Sequence, residues 1–151
     1  MSSLTQHIQK VRESSRQIVR ELGLLGNESP FELPLSYRHV LIELDLRGQL
    51  TQLELTALLI LDKSTVSRMI KKLVNYKLVA TAIAESDKRY RLLTLTATGK
   101  KVVGGIHQSA IANVGRALKR LSLQEREQVE RGLALYATAL ENSRLKGDHH
   151  E

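Results

Sequence analysis

The stretch LTQLELTALLILDKSTVSRMIKKLVNYKLV, from Leu50 to Val79, contains two short segments of helical periodicity separated by only a few residues. Thr51 followed three residues later by Glu54 forms a capping box, so a helix is predicted to start there. Asp62 is of the residue type preferred at the N-cap of the next helix. With about 100° between successive residues, the apolar side of that second helix comprises Val66, Met69, Ile70 and Leu73.

The opposite side of the second helix carries small polar and long basic side chains. Such a face is either an ordinary solvated surface or a surface that lies against a negatively charged partner. Two helices joined by a tight turn, the second of them basic on its outer side, are typical of a helix-turn-helix, whose second helix enters the DNA major groove. The residues of this face are Ser64, Arg68, Lys71 and Asn75, flanked by Lys63, Ser67 and Lys72.

The residues from Val79 onward change from helical to alternating periodicity, which is typical of strands. Apolar, aromatic and β-branched residues alternate along 79–83 and again along 90–94, and the sequence ESDK lies between the two runs as a turn. The pattern predicts a small β-hairpin directly after the helix-turn-helix, which is a wing. An arginine at the tip of a wing can enter the minor groove. The charged residues at or near the tip are Asp87, Lys88, Arg89 and Arg91.

Further helices are predicted on both sides of this lobe. Residues 4–25 form one long helix, GLLGNESPFELP follows as a linker-like break, and residues 36–46 form a short helix. Thr96 can cap another long helix, and a second capping box at Ser122 and Glu125 starts the last one. The first helix has a narrow apolar stripe suited to a partner helix: Leu4, Ile8, Val11, Ser15, Ile18, Leu22 and Leu25.

The positive charge of the chain is concentrated in one segment. The net charge is +7, and residues 62–101 contain ten Lys and Arg against three Asp and Glu. Residues 1–61 contain six Lys and Arg against seven Asp and Glu, and residues 102–151 contain seven against six. The net charges of these two segments therefore cancel. Because neutralised phosphates supply most non-specific nucleic-acid affinity, a polyanion is the expected partner. The alternative is a basic surface that serves solubility.

Composition and motifs exclude several other functions. The chain has no cysteine, which excludes disulfides and thiolate metal sites, and its five histidines form no H-x-x-x-H or carboxylate–histidine cluster, so no metal is predicted. No apolar run approaches the about 20 residues that cross a bilayer, and there is no signal peptide. A cytoplasmic protein without membrane association is therefore expected. The phosphate-loop, G-x-S-x-G, H-E-x-x-H and G-x-G-x-x-G motifs are absent, so neither an enzyme nor a cofactor is predicted.

The Leu50–Val79 stretch together with SDKRYRLLTLTATGKK (Ser86–Lys101) resembles the MarR family of bacterial winged-helix regulators. The outer helices also fit in number and order, so the resemblance covers nearly the whole chain. It implies a mainly α fold with a small β-hairpin wing, in which N- and C-terminal dimerisation helices flank a winged helix-turn-helix lobe. It also implies an obligate homodimer that binds pseudo-palindromic operators in double-stranded DNA. The family's wing signature, Asp-x-Arg followed by Leu-Thr-x-x-Gly, is matched by Asp87, Arg89, Leu95, Thr96 and Gly99.

The resemblance further implies roles for individual residues. Arg89 is the minor-groove finger, and Asp87 holds its guanidinium by a charge-assisted hydrogen bond. Each role has an alternative, in which the hydroxyl residues are only polar residues of the first turn of the recognition helix, Arg89 is only a solvated turn residue, and Asp87 is only a residue that forms the hairpin turn. The implied major-groove residues are Lys63, Ser64, Thr65, Ser67 and Arg68, and the implied phosphate contacts are Lys71, Lys72, Lys88 and Arg91.

Two residues depart from the family pattern. Ile60, in the turn before the recognition helix, and Lys77, at its end, stand where glycine is common. If the turn needs a left-handed residue, Ile60 costs roughly 1–2 kcal/mol. The sequence therefore leaves the geometry of this turn, and with it the angle of the recognition helix, open.

MarR-like proteins often bind small anionic aromatic compounds in a cleft between the dimerisation arms and the DNA-binding lobe. The resemblance therefore implies a possible effector of this class. The alternative for each candidate residue, which the sequence favours, is an ordinary surface or capping residue. The candidates are Arg16, Arg20, Tyr37, His39 and His107.

These inferences divide the chain into an N-terminal dimerisation helix (1–30), a winged helix-turn-helix lobe (35–100), C-terminal dimerisation helices (101–146) and a disordered tail (147–151). The predicted function is that of a homodimeric DNA-binding transcriptional regulator, a repressor that a small-molecule effector would release. Two alternatives stay open. One is a winged helix that docks an acidic protein, and the other is the regulatory half of a larger MarR–acetyltransferase type of enzyme.

Overall fold

The computed structural model describes residues 3–26 and 33–147, which form six helices and one small sheet. The chain divides into two compact units, Met1–Ile106 and His107–Glu151. None of the six helices described has the length and apolarity that a bilayer span needs. The elements are α1 (Ser3–Glu21), α2 (Leu35–Arg47), β1 (Leu50–Thr51), α3 (Gln52–Leu59), α4 (Lys63–Asn75), β2 (Val79–Ile83), β3 (Arg91–Leu95), α5 (Ala97–Leu118) and α6 (Leu123–Gly147).

The core of the first unit is built from aliphatic side chains of α2, α3, α4, the sheet and the start of α5. The predicted apolar side of α4 is confirmed, since all four of its residues are buried. Burial of these side chains leaves the basic side of α4 outward, as helical periodicity requires. The largest fully buried side chains are Leu41, Leu44, Leu55, Leu73, Leu93, Val40, Val66 and Val103.

The sheet is antiparallel and has three strands in the order β1-β3-β2. The predicted hairpin is confirmed, with Val79 opposite Leu95 and Ile83 opposite Arg91. Strand β1, in which Leu50 pairs with Leu93, was not predicted. It has only two residues, and Thr51 also caps α3, so the helix signal dominates this part of the sequence.

Some predicted boundaries need correction. Helix α1 ends at Glu21 rather than continuing to residue 25, because Gly23 turns the backbone at φ 69° and the amide of Leu24 bonds the carbonyl of Val19. Leu22 and Leu25 therefore lie beyond the helix. Gly147 is the last residue of α6, although the tail was predicted to start there. Residues 27–32 of the predicted linker (23–34) and tail residues 148–151 lie outside the described residues.

The junction between α4, β3 and α5 is held by a single threonine. The hydroxyl of Thr96 donates to the carbonyl of Lys77 at 2.6 Å and accepts from the amide of Gly99 at 3.0 Å. Its own amide donates to the carbonyl of Leu78 at 3.0 Å. The Leu-Thr-x-x-Gly part of the wing signature thus joins the first turn of α5 to the end of the recognition helix.

Gly99 allows this close approach. A Cβ at this position would lie 2.1 Å from the carbonyl oxygen of Leu78. No side-chain rotation can relieve such a contact, because the obstructing atom belongs to the backbone.

Replacing Gly99 by alanine is expected to lower the free energy of unfolding by about 2 kcal/mol or more, because the backbone must shift to admit the methyl group. Gly104→Ala is the matched control in the same helix, where an added Cβ meets nothing within 4 Å. It is expected to raise the stability by up to about 1 kcal/mol through helix propensity. Urea unfolding of both variants measures the difference, and equal effects of the two substitutions would contradict the role of the contact.

The second unit has its own local supports. The predicted capping box of α6 is confirmed, since the Ser122 amide donates to Glu125 at 2.7 Å and the Glu125 amide to Ser122 at 3.2 Å. The guanidinium of Arg126 donates to the carbonyl of Leu118 at 2.8 Å and so satisfies the end of α5. Helix α6 has no buried residue along its length. Its exposed apolar side chains are Leu123, Val129, Leu133, Leu135, Tyr136, Leu140 and Leu145.

Candidate nucleic-acid interface

The turn between α3 and α4 keeps its left-handed residue although that residue is not glycine. Ile60 has φ 55° and ψ 45°, and its amide bonds the carbonyl of Ala57 at 3.3 Å. Lys77 at the other end of α4 also has a positive φ, of 58°. Both residues therefore adopt the left-handed conformation that glycine favours. At Ile60 the cost appears as strain, since a β-branched side chain is disfavoured in this region.

Replacing Ile60 by glycine is expected to stabilise the protein. The side chain is 61% exposed, so little burial is lost, and relief of strain outweighs the flexibility of glycine by about 1 kcal/mol. Ile83→Gly is the matched control, because Ile83 is 65% exposed on extended strand β2. This variant is expected to have a free energy of unfolding that is lower by about 1 kcal/mol. Chemical denaturation distinguishes the opposite signs, and a loss of stability in both variants would mean that Ile60 is unstrained.

Asp62 begins the recognition helix and organises its first turn. Its carboxylate accepts from the amide of Thr65 at 2.8 Å, which confirms the predicted N-cap. The same carboxylate accepts from the hydroxyl of Ser64 at 2.6 Å and from the hydroxyl of Thr65 at 2.6 Å. Arg68, one turn later, donates to the Thr65 hydroxyl at 3.2 Å. Four residues are therefore joined in one network at the exposed end of α4.

These hydrogen bonds favour the charged form of Asp62. The hydroxyl of Ser64, followed by the hydroxyl and amide of Thr65, holds the pKa of the carboxyl far below its usual range. The carboxylate is therefore ionised at neutral pH and accepts hydrogen bonds without donating any.

The outer face of α4 presents its cations to solvent. Ser64 and Arg68 are exposed with the lysines of this face, whereas Thr65 and Ser67 are half-buried. Among the residues that the structure describes, no carboxylate forms an ion pair with these lysines. Their ammonium groups are therefore available to an external anion. The lysines are Lys63, Lys71 and Lys72.

At the tip of the wing, Arg89 forms a bidentate ion pair with Asp87. In Arg89, Nε lies 3.0 Å from Oδ1 of Asp87, and Nη2 lies 2.7 Å from Oδ2. The Arg89 guanidinium lowers the pKa of Asp87, and the Asp87 carboxylate in turn raises the pKa of Arg89. The Arg89 side chain is nevertheless 83% exposed, and its Cζ lies 6.0 Å from the ring centroid of Tyr90. The arginine is thus oriented by its own hairpin and still open to solvent. Lys88 and Arg91 are exposed beside it.

The candidate effector residues are distributed over three helices. Arg16 and Arg20 are exposed on α1, His39 is exposed on α2, and Tyr37 on α2 packs against the core. His107 is half-buried on α5 and belongs to the second unit. The effector site stays a prediction. Within residues 3–26 and 33–147, no group of three or more His, Asp or Glu residues is placed to hold a metal ion.

Three features of the interface were not predicted from the sequence. They are the hydroxyl bonds to Asp62, the ring of Tyr90 beside Arg89, and the bond from Thr96 to the Lys77 carbonyl. A partial signal existed for the first, because an N-cap aspartate with hydroxyls two and three residues later can bond both. The Thr96 bond joins residues 19 positions apart, so no local pattern indicates it.

The family model of the winged helix DNA-binding domain matches residues 35–99. This segment of the chain is similar to winged helix DNA-binding domains. That match confirms the predicted helix-turn-helix, the wing and the assignment to DNA binding. The HTH-type transcriptional regulator YfiV of Bacillus subtilis (strain 168) is 24% identical over 123 residues, which cover 82% of this chain and 77% of that protein.

Solved structures share the fold of most of the chain. A mutant MarR from E. coli complexed with operator DNA superimposes with a TM-score of 0.71 at 23% identity, over 90% of this chain and 99% of that one. Bordetella bronchiseptica BpsR, described with regulation of its DNA binding by 6-hydroxynicotinic acid, gives a TM-score of 0.69 at 22% identity, over 85% of this chain and 98% of that one. The mainly α fold class is therefore confirmed, and the chain resembles the MarR structures in its fold.

Proposed function

We propose that this winged-helix protein is a homodimeric transcriptional regulator, acting as a repressor, that binds pseudo-palindromic operators. The observation that carries the proposal is an exposed basic recognition helix next to an exposed, oriented arginine at the tip of a wing. Both lie within residues 35–99, which match the winged helix DNA-binding domain. A regulator of transcription works where the chromosome is, so we place the protein in the cytoplasm. The matched proteins are described as regulators, and we propose no catalytic activity.

The two parts of the interface have different tasks in this proposal. Helix α4 enters the major groove with Lys63, Ser64, Thr65, Ser67 and Arg68 toward the base edges. Arg89 enters the adjacent minor groove, and Asp87 keeps its guanidinium oriented before DNA arrives. Preorganisation reduces the side-chain entropy lost on binding. The phosphate contacts, which position the protein without distinguishing sequences, are Lys71, Lys72, Lys88 and Arg91.

Removing two of these charges together is expected to abolish specific binding. Arg68→Ala/Arg89→Ala should weaken binding to duplex DNA from the region upstream of the gene by at least about thirtyfold, because each lost groove contact costs about 1–3 kcal/mol. Binding of the unaltered protein should fall steeply with salt and exceed binding to random duplex. A titration followed by fluorescence anisotropy over a salt series measures both.

The matched control is Arg120→Ala/Arg144→Ala, which removes the same charge from exposed residues of the second unit. Its affinity is expected to change far less. Weak binding without sequence preference, equal in both double variants, would contradict the proposal and favour an acidic protein as the partner of the basic face.

The dimer is proposed from apolar side chains that the single chain leaves uncovered. Neither α1 nor α6 has a buried residue, although both carry large apolar side chains. Contiguous apolar surface of this kind is typical of an interface. Two copies also supply the two recognition helices that a pseudo-palindromic site needs, one for each half-site.

Charges placed on α6 are expected to separate the subunits. Leu133 is 54% exposed and Leu140 53% exposed in the single chain, and Leu133→Glu/Leu140→Glu should sediment as a monomer because buried unpaired carboxylates are costly. Ile83→Glu places the same charge at an apolar residue of the wing that is 65% exposed, and this variant should remain a dimer. Sedimentation equilibrium measures the mass, and a monomeric unaltered protein would contradict the proposal.

We extend the proposal to an effector, a small anionic aromatic compound. The regulation of BpsR by 6-hydroxynicotinic acid, an aromatic acid, supports this class. The effector would act by binding better to dimers whose recognition helices are not spaced for DNA, and it would shift operator occupancy only by that difference in affinity. The proposed effector residues are Arg16, Arg20, Tyr37, His39 and His107.

A further inference from the structure

We infer that Asp62 is a specificity-determining residue, which makes the hydroxyls of Ser64 and Thr65 hydrogen-bond acceptors only. The recognition helix then prefers amino bases, A or C, to keto bases, G or T, on the strand that these hydroxyls contact. The inference rests on the proposed DNA binding and adds to it a rule for the bases at one part of the site.

The donors of both hydroxyls are already used. A hydroxyl has one proton to donate and two lone pairs that accept. The hydroxyl of Ser64 lies 2.6 Å from Oδ1 of Asp62, and the hydroxyl of Thr65 lies 2.6 Å from Oδ2. An ionised carboxylate has no proton to give, so in both bonds the proton must come from the hydroxyl. Towards any further partner, Ser64 and Thr65 can only accept.

The arrangement also resists rearrangement when a ligand arrives. Bonds to an ionised acceptor are roughly twice as strong as neutral ones, so turning a hydroxyl from Asp62 toward a neutral acceptor on a base loses more than it gains. The carboxylate is fixed in turn, because it also accepts the amide of Thr65 at 2.8 Å. Arg68 donates to the Thr65 hydroxyl at 3.2 Å and occupies one of its lone pairs. One lone pair remains on Thr65 and two remain on Ser64.

An acceptor-only hydroxyl is selective among the groups of DNA. Phosphate oxygens, guanine N7 and O6, and thymine O4 all accept, and they offer it no proton. The donors in the major groove are the amino groups of adenine N6 and cytosine N4. Every base pair carries one of them on one strand only. The hydroxyls therefore distinguish A or C from G or T on the contacted strand, because a keto oxygen opposite an acceptor leaves both groups unsatisfied.

The first two turns of α4 thus contain residues of both hydrogen-bonding polarities. Lys63 and Arg68 can only donate and suit guanine or phosphate, whereas Ser64 and Thr65 can only accept. A recognition helix with both kinds of group can specify adjacent positions of opposite polarity.

The experiment starts with selection of bound sequences from a randomised duplex library by the unaltered protein and by Thr65→Val and Ser64→Ala. Valine keeps the shape of threonine and the capped amide while removing the hydroxyl. The positions at which a variant loses its preference identify the bases that each hydroxyl contacts. At these positions the selected base on one strand is expected to be A or C.

The decisive measurement removes only the amino group. At a position identified in this way, adenine is replaced by nebularine, which lacks the 6-amino group, or cytosine by 2-pyrimidinone, which lacks the 4-amino group. The unaltered protein is expected to bind about fivefold more weakly, the effect of one hydrogen bond. Thr65→Val or Ser64→Ala, whichever identified the position, should show no such loss. Because each protein is compared with itself on two duplexes, differences in overall affinity cancel.

Asp62→Asn tests the role of the carboxylate itself. Asparagine is a good N-cap, so α4 should be retained, which circular dichroism checks. An amide has one oxygen that accepts, so one of the two hydroxyls regains a free proton. The preference for amino over keto bases should then relax by about the same fivefold factor, while affinity for all sequences rises because a negative charge is removed.

The outcomes separate this inference from the proposed function. Selection of keto bases at the identified positions, no penalty on removing the amino group, or no position sensitive to either hydroxyl would overturn the inference and leave the DNA-binding regulator intact. Absence of any duplex binding, by the unaltered protein at low salt, would overturn both together.

Discussion

Close packing of Gly99 against the carbonyl of Leu78 brings the start of α5 to the end of the recognition helix. At this point the first turn of α5 approaches the backbone so closely that a Cβ would stand 2.1 Å from the oxygen. Thr96 bonds the same segment through its amide and its hydroxyl. The end of the recognition helix, the last strand of the wing and the start of α5 therefore meet at one junction.

The other end of the recognition helix is defined by two features of opposite energetic sign. Ile60 holds a left-handed conformation that costs roughly 1–2 kcal/mol, and Asp62 follows with an N-cap that bonds an amide and two hydroxyls. A cap contributes typically about 1 kcal/mol, so the two effects are of similar size. The start of the helix is thus fixed without a glycine, and the strain is retained where the surrounding structure over-determines the turn.

Local signals explain which parts of the fold could be predicted. Asp62 as a cap, the capping boxes at Thr51 and Ser122, and the buried side of α4 all depend on residues within one or two turns of each other. Strand β1 was missed because its two residues gain their strand character only by pairing with β3. The early end of α1 depends on the backbone angle at Gly23, since glycine tolerates both helical and left-handed conformations.

The sequence by itself determined the winged helix-turn-helix, its basic outer face and the residue types at the wing tip, because periodicity and charge segregation are properties of neighbouring residues. Only the tertiary structure decided which of the possible hydrogen bonds on that face form. It showed that the hydroxyls of Ser64 and Thr65 both donate to Asp62, and it chose the bidentate contact of Arg89 with Asp87 over a freely solvated side chain. Residue type specifies which hydrogen bonds a side chain can make, whereas the positions of its neighbours in space decide which of them are already taken.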